Sequence, residues 1–209
     1  MEQKVKFIIS ALENKYRDVF CGLEWENDPY RLLIMAILSA QCTDARVNLV
    51  SKTLFLRFPT VYDMAKADIK EIEEEIRSVG LYHSKAKALK ECSARICEAY
   101  GGKLPSEMDD LLTLRGVGRK VANLLRGDIF GLGGIVSDTH CIRISNRLGL
   151  TESKDPYKTE KTLSKLIPIE KQSDFCHRMV LFGREICTAR SPKCDECILF
   201  EYCENKGEK

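Results

Sequence analysis

Four cysteines crowd the end of this 209-residue chain: Cys187, Cys194, Cys197 and Cys203, with gaps of six, two and five residues between them. Thiolates at that density hold either zinc or an iron–sulfur cluster. Structural zinc sites usually pair two short Cys-x-x-Cys knuckles, whereas here only Cys194 and Cys197 form one. The spacing therefore favours a 4Fe-4S cluster, with zinc as runner-up. Between the first two ligands, Arg190 and Lys193 are the only charged residues. A cluster bracing that loop would present it to phosphate, and no redox chemistry is required.

A second constellation lies upstream. Residues 111–122 place Gly116 and Gly118 between two apolar-periodic helices, a helix-hairpin-helix pattern. Glycine permits positive φ and close backbone approach, so amides of the turn and of the next helix can point at a phosphate without reading sequence. An ordinary helix-turn-helix connection is the plain alternative, and two glycines alone do not displace it. Lys120 follows the turn. Asp138 stands in Val136-Ser137-Asp138-Thr139-His140 like the N-cap of a helix running through Ile144 and Leu148. This amine and this carboxylate can converge. Taken singly, a phosphate-contacting surface amine and a plain helix cap are the simpler readings; the cysteine tail beside them shifts the balance.

The elements that must position these groups read as helices. Val5, Ile8, Ile9, Leu12 and Tyr16 form one apolar stripe, as do Ile69, Ile72, Ile76 and Val79, the latter closed by Gly80. Leu89, Cys92, Ile96 and Ala99 form another, ended by Gly101-Gly102, while residues 30–40 are apolar almost all round and predict a buried central helix. Ser106 with Asp109 suggests a capping box, Asp155-Pro156 a cap followed by a first-turn proline, and Pro168 a stop. No alternating strand pattern competes, so the expected class is all-α. The loop 131–134 is glycine-rich, a candidate hinge where two helical lobes meet.

Composition narrows the field further. With 44% hydrophobic and 31% charged residues the chain is neither disordered nor membrane-like. Its longest apolar run, 32–38, is far below the ~20 residues of a bilayer crossing, and the N-terminus lacks a signal pattern, so no membrane association is expected. The expected location is the cytoplasm, beside the nucleoid if the source is bacterial. The net charge of +2 does not announce a polyanion partner, but Arg115, Arg119, Lys120, Arg126, Arg143 and Arg147 outnumber Asp128 and Asp138 in one window. A solvated helix face is the commoner explanation of such a patch. Cys21, Cys42, Cys92, Cys97, Cys141 and Cys176 are scattered among apolar neighbours and are expected as buried thiols.

Taken in order, Leu38-Ser39-Ala40-Gln41, Val79-Gly80-Leu81-Tyr82, Leu114-Arg115-Gly116-Val117-Gly118-Arg119-Lys120, Ser137-Asp138-Thr139-His140 and the cysteine tail resemble the endonuclease III family of DNA glycosylases, across nearly the whole chain. The resemblance implies a six-helix barrel domain at 22–132 with its hairpin at about 107–131, and a discontinuous cluster domain at 1–21 plus 133–209. It also implies DNA across a cleft where Lys120 and Asp138 face one another, and a monomer acting on double-stranded DNA that carries damaged bases or abasic sites. Carried over, Lys120 attacks the sugar C1′, expels the base and forms a Schiff base, and β-elimination cuts the strand. Partial desolvation and Arg119 should lower the lysine's pKa, whereas Asp138 stabilises cationic sugar character and relays protons.

Extruding the nucleotide leaves a gap, and by the same resemblance Gln41 and Leu81 fill it. Arg115, Gly116, Val117, Gly118, Arg119, His140, Arg143, Arg190 and Lys193 are the remaining DNA contacts, and Ser39 and Ser137 line the pocket. Tyr82 and His83 sit at the same edge, where packing or a satisfied surface position is the commoner role. Two positions depart from the family pattern. Arg115 stands where the hairpin usually has proline, and Ser137 where an aliphatic residue is common. The expected activity is excision of oxidised or ring-damaged pyrimidines with associated lyase cleavage. Its rivals are an adenine/mismatch glycosylase, which lacks this lysine and normally carries a further C-terminal domain, and a non-catalytic zinc-containing hairpin module.

Overall fold

Six of the eleven α-helices among the described residues start at a side chain that accepts from one of their unpaired amides. In the computed structural model, which describes residues 1–205, the helices are α1 (Glu2–Lys15), α2 (Pro29–Leu38), α3 (Asp44–Arg57), α4 (Val61–Lys66), α5 (Ile69–Glu75), α6 (Tyr82–Tyr100), α7 (Met108–Leu112), α8 (Arg119–Asp128), α9 (Thr139–Arg147), α10 (Pro156–Leu166) and α11 (Gln172–Glu185). Residues 206–209, the end of the expected second lobe, lie outside the described residues. Asp28 accepts from the Tyr30 amide at 2.9 Å and Pro29 opens α2, while Asp155 caps α10 ahead of Pro156. Each such cap contributes about 1 kcal/mol. Short 3-10 turns complete the chain, and no strand occurs among the described residues. The all-α expectation holds. No helix among them is long and apolar enough to cross a membrane.

Two units emerge: Cys21–Phe130, and Met1–Phe20 with the chain from Gly131 onward. The first is built around α2, whose residues 32–38 are all buried beneath α3, α6 and α8. In the second, α11 packs against α9 and α1, over a core of Ile8, Leu12, Ile144, Phe175, Met179 and Phe182.

Some local expectations need correction. Ser106 does not cap α7; Glu107 occupies the N-cap without a side-chain cap bond, and Ser106 Oγ instead donates to the Glu107 carboxylate at 3.4 Å. The helix expected to run to Gly80 stops at Glu75, because the chain tightens there into turns that still bury Ile76 and Val79. Ala99 is exposed. Of the six scattered thiols, Cys92, Cys141 and Cys176 are buried and the other three only half-buried.

Candidate active site

In the first unit the hairpin turn lies directly on the core. Leu114 and Val117 are buried, and Gly116 adopts φ +85° with its missing Cβ position 3.1 Å from Ile37 Cγ2 and 3.2 Å from Ala88 Cβ. A side chain there would be strained by the left-handed backbone and would press on both neighbours. Gly118 is different. Its φ of −94° is ordinary, and a Cβ there would meet nothing within 4 Å. It is the N-cap of α8 and no side chain caps that end, so the first amides of α8 stand ready for an anion. Lys120 is the second residue of α8 and is exposed. Arg115 does not stand alone: its Nη1 donates to Glu91 at 2.6 Å.

Four exposed residues of this unit have left-handed backbones that non-glycine residues rarely adopt: the adjacent Glu26 and Asn27 ahead of α2, and, each on its own, Gln41 at φ +54° and Leu81 at φ +60°. Leu81 is 61% exposed, which is unusual for a leucine flanked by the buried Val79 and Lys85. Ser39 Oγ donates to the Ala36 carbonyl at 2.8 Å, ending α2 just before Gln41. His83 lies exposed and pairs with Glu73 at 2.9 Å, and Tyr82 packs against the core. Sequence reasoning missed Lys85, since a lysine in a charged helix reads as a surface cation.

The second unit holds the carboxylate and the cysteines, joined by α9. Asp138 is the N-cap of α9 and its Oδ1 accepts from the Cys141 amide at 2.7 Å. Beside it, Ser137 Oγ is buried with no hydrogen-bond partner in the protein. One turn along, Arg143 turns inward. Its Nη2 donates to the Cys187 and Gly183 carbonyls at 2.8 and 3.2 Å and lies 3.2 Å from His140 Nδ1. A Cβ on Gly183 would meet that imidazole nitrogen at 2.4 Å, so glycine is what lets α11 approach α9 here. One turn further, Arg147 Nη1 donates to the Thr188 carbonyl at 2.7 Å and to Cys187 Sγ at 3.2 Å, while Nη2 donates to the Ala189 carbonyl at 3.1 Å. The Arg147 carbonyl accepts from the Glu204 amide at 2.9 Å.

Cys187, Cys194, Cys197 and Cys203 line one cavity, with Arg147, Pro192 and Lys193 on its wall. Burial raises the thiol pKa values of Cys197 and Cys203, and neighbouring sulfurs push the same way, those of Cys187, Cys194 and Cys203 on Cys197 and those of Cys187 and Cys194 on Cys203. Arg147 brings a counter-charge to these sulfurs, and a cationic centre would relieve the repulsion that remains among four thiolates. Among the described residues no group of three or more His, Cys, Asp or Glu side chains is placed to hold a metal ion as it stands. A four-thiolate ring around a cavity fits a cluster of several atoms. Arg190 and Lys193 are both exposed on the loop between the first two cysteines.

Hairpin, capped aspartate and cysteine ring together define a helix-hairpin-helix repair protein with an iron–sulfur domain, and comparison with known proteins agrees. Residues 34–169 match the HhH-GPD superfamily of base-excision DNA repair proteins, and residues 187–203 match the iron–sulfur binding domain of endonuclease III. The chain is 42% identical to endonuclease III of Synechocystis sp., covering 97% of this chain and 92% of the relative, and 40% identical to that of Bacillus subtilis over 99% and 94%. Its fold superposes on a non-covalent endonuclease III–DNA complex with a TM-score of 0.91 at 40% identity, covering 99% of this chain and 96% of that one. A trapped covalent endonuclease III–DNA intermediate gives the same TM-score of 0.91. The chain belongs to the endonuclease III family.

Proposed function

We infer that this chain is a base-excision DNA glycosylase with associated lyase activity at abasic sites, that it acts on duplex DNA carrying damaged bases or abasic sites, and that its cofactor is a 4Fe-4S cluster. The match to endonuclease III over 97% of the chain carries the reading. We further propose oxidised or ring-damaged pyrimidines as the substrates. Gly116, Val117, Gly118 and Arg119 at the hairpin would hold the phosphate backbone through the uncapped amides of α8.

Lys120 is proposed as the nucleophile. Its neutral Nζ bonds to C1′ as the glycosidic bond breaks, the base leaves with the bonding pair and takes up a proton, and opening of the sugar gives the imine. Loss of a C2′ proton then expels the 3′ phosphate and cuts the strand. Asp138 is proposed to stabilise positive charge on the sugar and to relay protons. Gln41 and Leu81 would fill the space left by the extruded nucleotide, and Ser39 and Ser137 would line the base pocket. The four cysteines would hold the cluster, which cross-links the loop bearing Arg190 and Lys193 when bound; these residues, with Arg115 and His140, complete the proposed DNA contacts. Arg143 spends its donors inside its own unit, so its contribution to binding would be through the shape of that loop.

Borohydride trapping on oligonucleotides carrying oxidised pyrimidines, adenine mismatches or a bare abasic site tests this reading. Wild type should form a covalent complex on the oxidised pyrimidines and the abasic site. Lys120→Gln should form none while binding the same DNA nearly as tightly. Trapping that survives Lys120→Gln would assign the nucleophile elsewhere.

A further inference from the structure

Lys85 is a buried cation in an otherwise apolar neighbourhood. It lies in the first turns of α6, is 5% exposed, and its Nζ donates to the carbonyls of Leu38 at 2.8 Å and Ala40 at 2.7 Å. Leu38 ends α2, so the ammonium sits where the helix presents its unpaired carbonyls and partial negative charge. Ala40 immediately precedes Gln41, and the Cys42 amide closes the same turn on the Ser39 carbonyl at 3.1 Å. The backbone of Lys85 does a second job. Its amide donates to the Leu81 carbonyl at 3.0 Å and so closes the turn that Leu81 opens at φ +60°. The two segments run side by side, with a Cβ on Gly80 falling 4.0 Å from the Gln41 carbonyl oxygen.

One residue thus binds both loops, through its side chain on one and its backbone on the other. Ala40 and Gln41 are exposed, so water is at hand for this loop and burial alone does not demand an ammonium. Burial also costs that group: desolvation lowers the Lys85 pKa. A side chain needed only to fill space would be apolar at lower cost. What the ammonium adds is a fixed distance between the turn bearing Gln41 and the turn bearing Leu81.

We propose that Lys85 is a positioning residue that locks the Gln41 and Leu81 loops in register, so that both side chains enter the duplex together when a nucleotide is extruded. The proposal rests on the reading above that these two residues fill the gap, and it concerns strand opening rather than the chemistry at C1′. Single-stranded abasic DNA, which has no opposing strand and no stack to replace, should not need the lock.

The test is the rate of borohydride trapping by Lys85→Met holoenzyme at an abasic site in duplex DNA, divided by the rate on the same strand alone. Both rates come from one preparation, so any inactive fraction cancels. Loss of two charge-assisted hydrogen bonds should lower the ratio about tenfold or more, with the single-strand rate unchanged. Lys85→Arg should recover most of it, and Lys85→Met should add little to a Leu81→Ala variant, because both would act on one step. An unchanged ratio, or equal losses on both substrates, overturns the proposal. No trapping by wild type on either substrate would instead overturn the glycosylase/lyase reading. Should Lys85→Met not fold, Lys85→Gln, which keeps a donor group without the charge, is read by the same ratio and should fall between wild type and the loss expected for Lys85→Met.

Discussion

Replacing Arg147 with methionine should loosen the loop that carries the first cysteine without disturbing α9. The guanidinium makes three contacts to that loop, at 2.7 Å to Thr188, 3.1 Å to Ala189 and 3.2 Å to the Cys187 sulfur. A part-buried bond from a charged donor is worth about 2 kcal/mol, an exposed one well under 1, and one to sulfur about the same as the exposed one. The sum is roughly 3 kcal/mol, which corresponds to about a hundredfold rise in the population of the opened loop. Methionine keeps the helical propensity and most of the stem's packing, so the global fold should lose far less. The assay is the decay of visible absorption at about 400 nm, expected of the bound cluster, in the presence of an iron chelator. Arg147→Met should bleach between ten and a hundred times faster than wild type, while helical circular dichroism at the start stays the same. Equal bleaching rates would show that the loop is held by the cluster alone and that the contacts to Thr188 and Ala189 are incidental.

Asp138 has two jobs that substitution should separate. Asp138→Asn keeps an oxygen for the Cys141 amide, so it should be as stable as wild type yet far slower in base release; Asp138→Ala should be equally slow and also lose about 1 kcal/mol in denaturant titration. Gly116→Ala meets Ile37 and Ala88 in a left-handed turn and should cost about 1–3 kcal/mol and weaken DNA binding, measured by melting and by fluorescence anisotropy. Cys92 is fully buried and its thiol is pushed up to about 12 from an ordinary 9.0 by desolvation, so iodoacetamide at pH 8 should leave it unmodified in the native protein. Since the folded pKa lies above the unfolded one, the stability this thiol contributes is present below pH 9.0 and is lost progressively towards about 12. Cys92→Ser should flatten that part of the profile.

What the sequence revealed depended on how local the cause was. Asp138 and Asp155 announce themselves as caps because a carboxylate two or three residues ahead of a free amide needs no distant partner. The stripe of α1 and the uniformly apolar α2 were legible for the same reason, since 3.6-residue periodicity is set within one helix. The cysteine spacing pointed to a four-sulfur site because all four residues lie within one short stretch, and the four line one cavity. Ser106 misled because the capping pattern is satisfied by composition, while the start of α7 is set by where Leu111 must be buried. Arg143 and Lys85 were opaque for a stronger reason. A long cation is exposed by default, and only the path of remote segments, around Cys187 in one case and Leu38 in the other, turns its donors inward.

Gln41 and Leu81 were expected on exposed loops, but not in left-handed conformations, and these raise a question of stability. Each costs of order 1–3 kcal/mol against an ordinary backbone, so the pair stores a few kcal/mol. Strain of that size persists only where neighbouring structure outweighs it. Here it is outweighed at the root of the first loop, since α2 buries seven consecutive side chains, from Leu32 to Leu38, each gaining about 1.5–3 kcal/mol for the larger ones. The second loop grows from the start of α6, which is held against α4 and α5 along its length. Shortening a buried side chain of α2, as in Leu38→Ala, should therefore act on Gln41 as well as on stability. It should cost about 2–5 kcal/mol in unfolding and should also lower activity on duplex DNA more than on single strands, because the strained turn would relax before the fold fails.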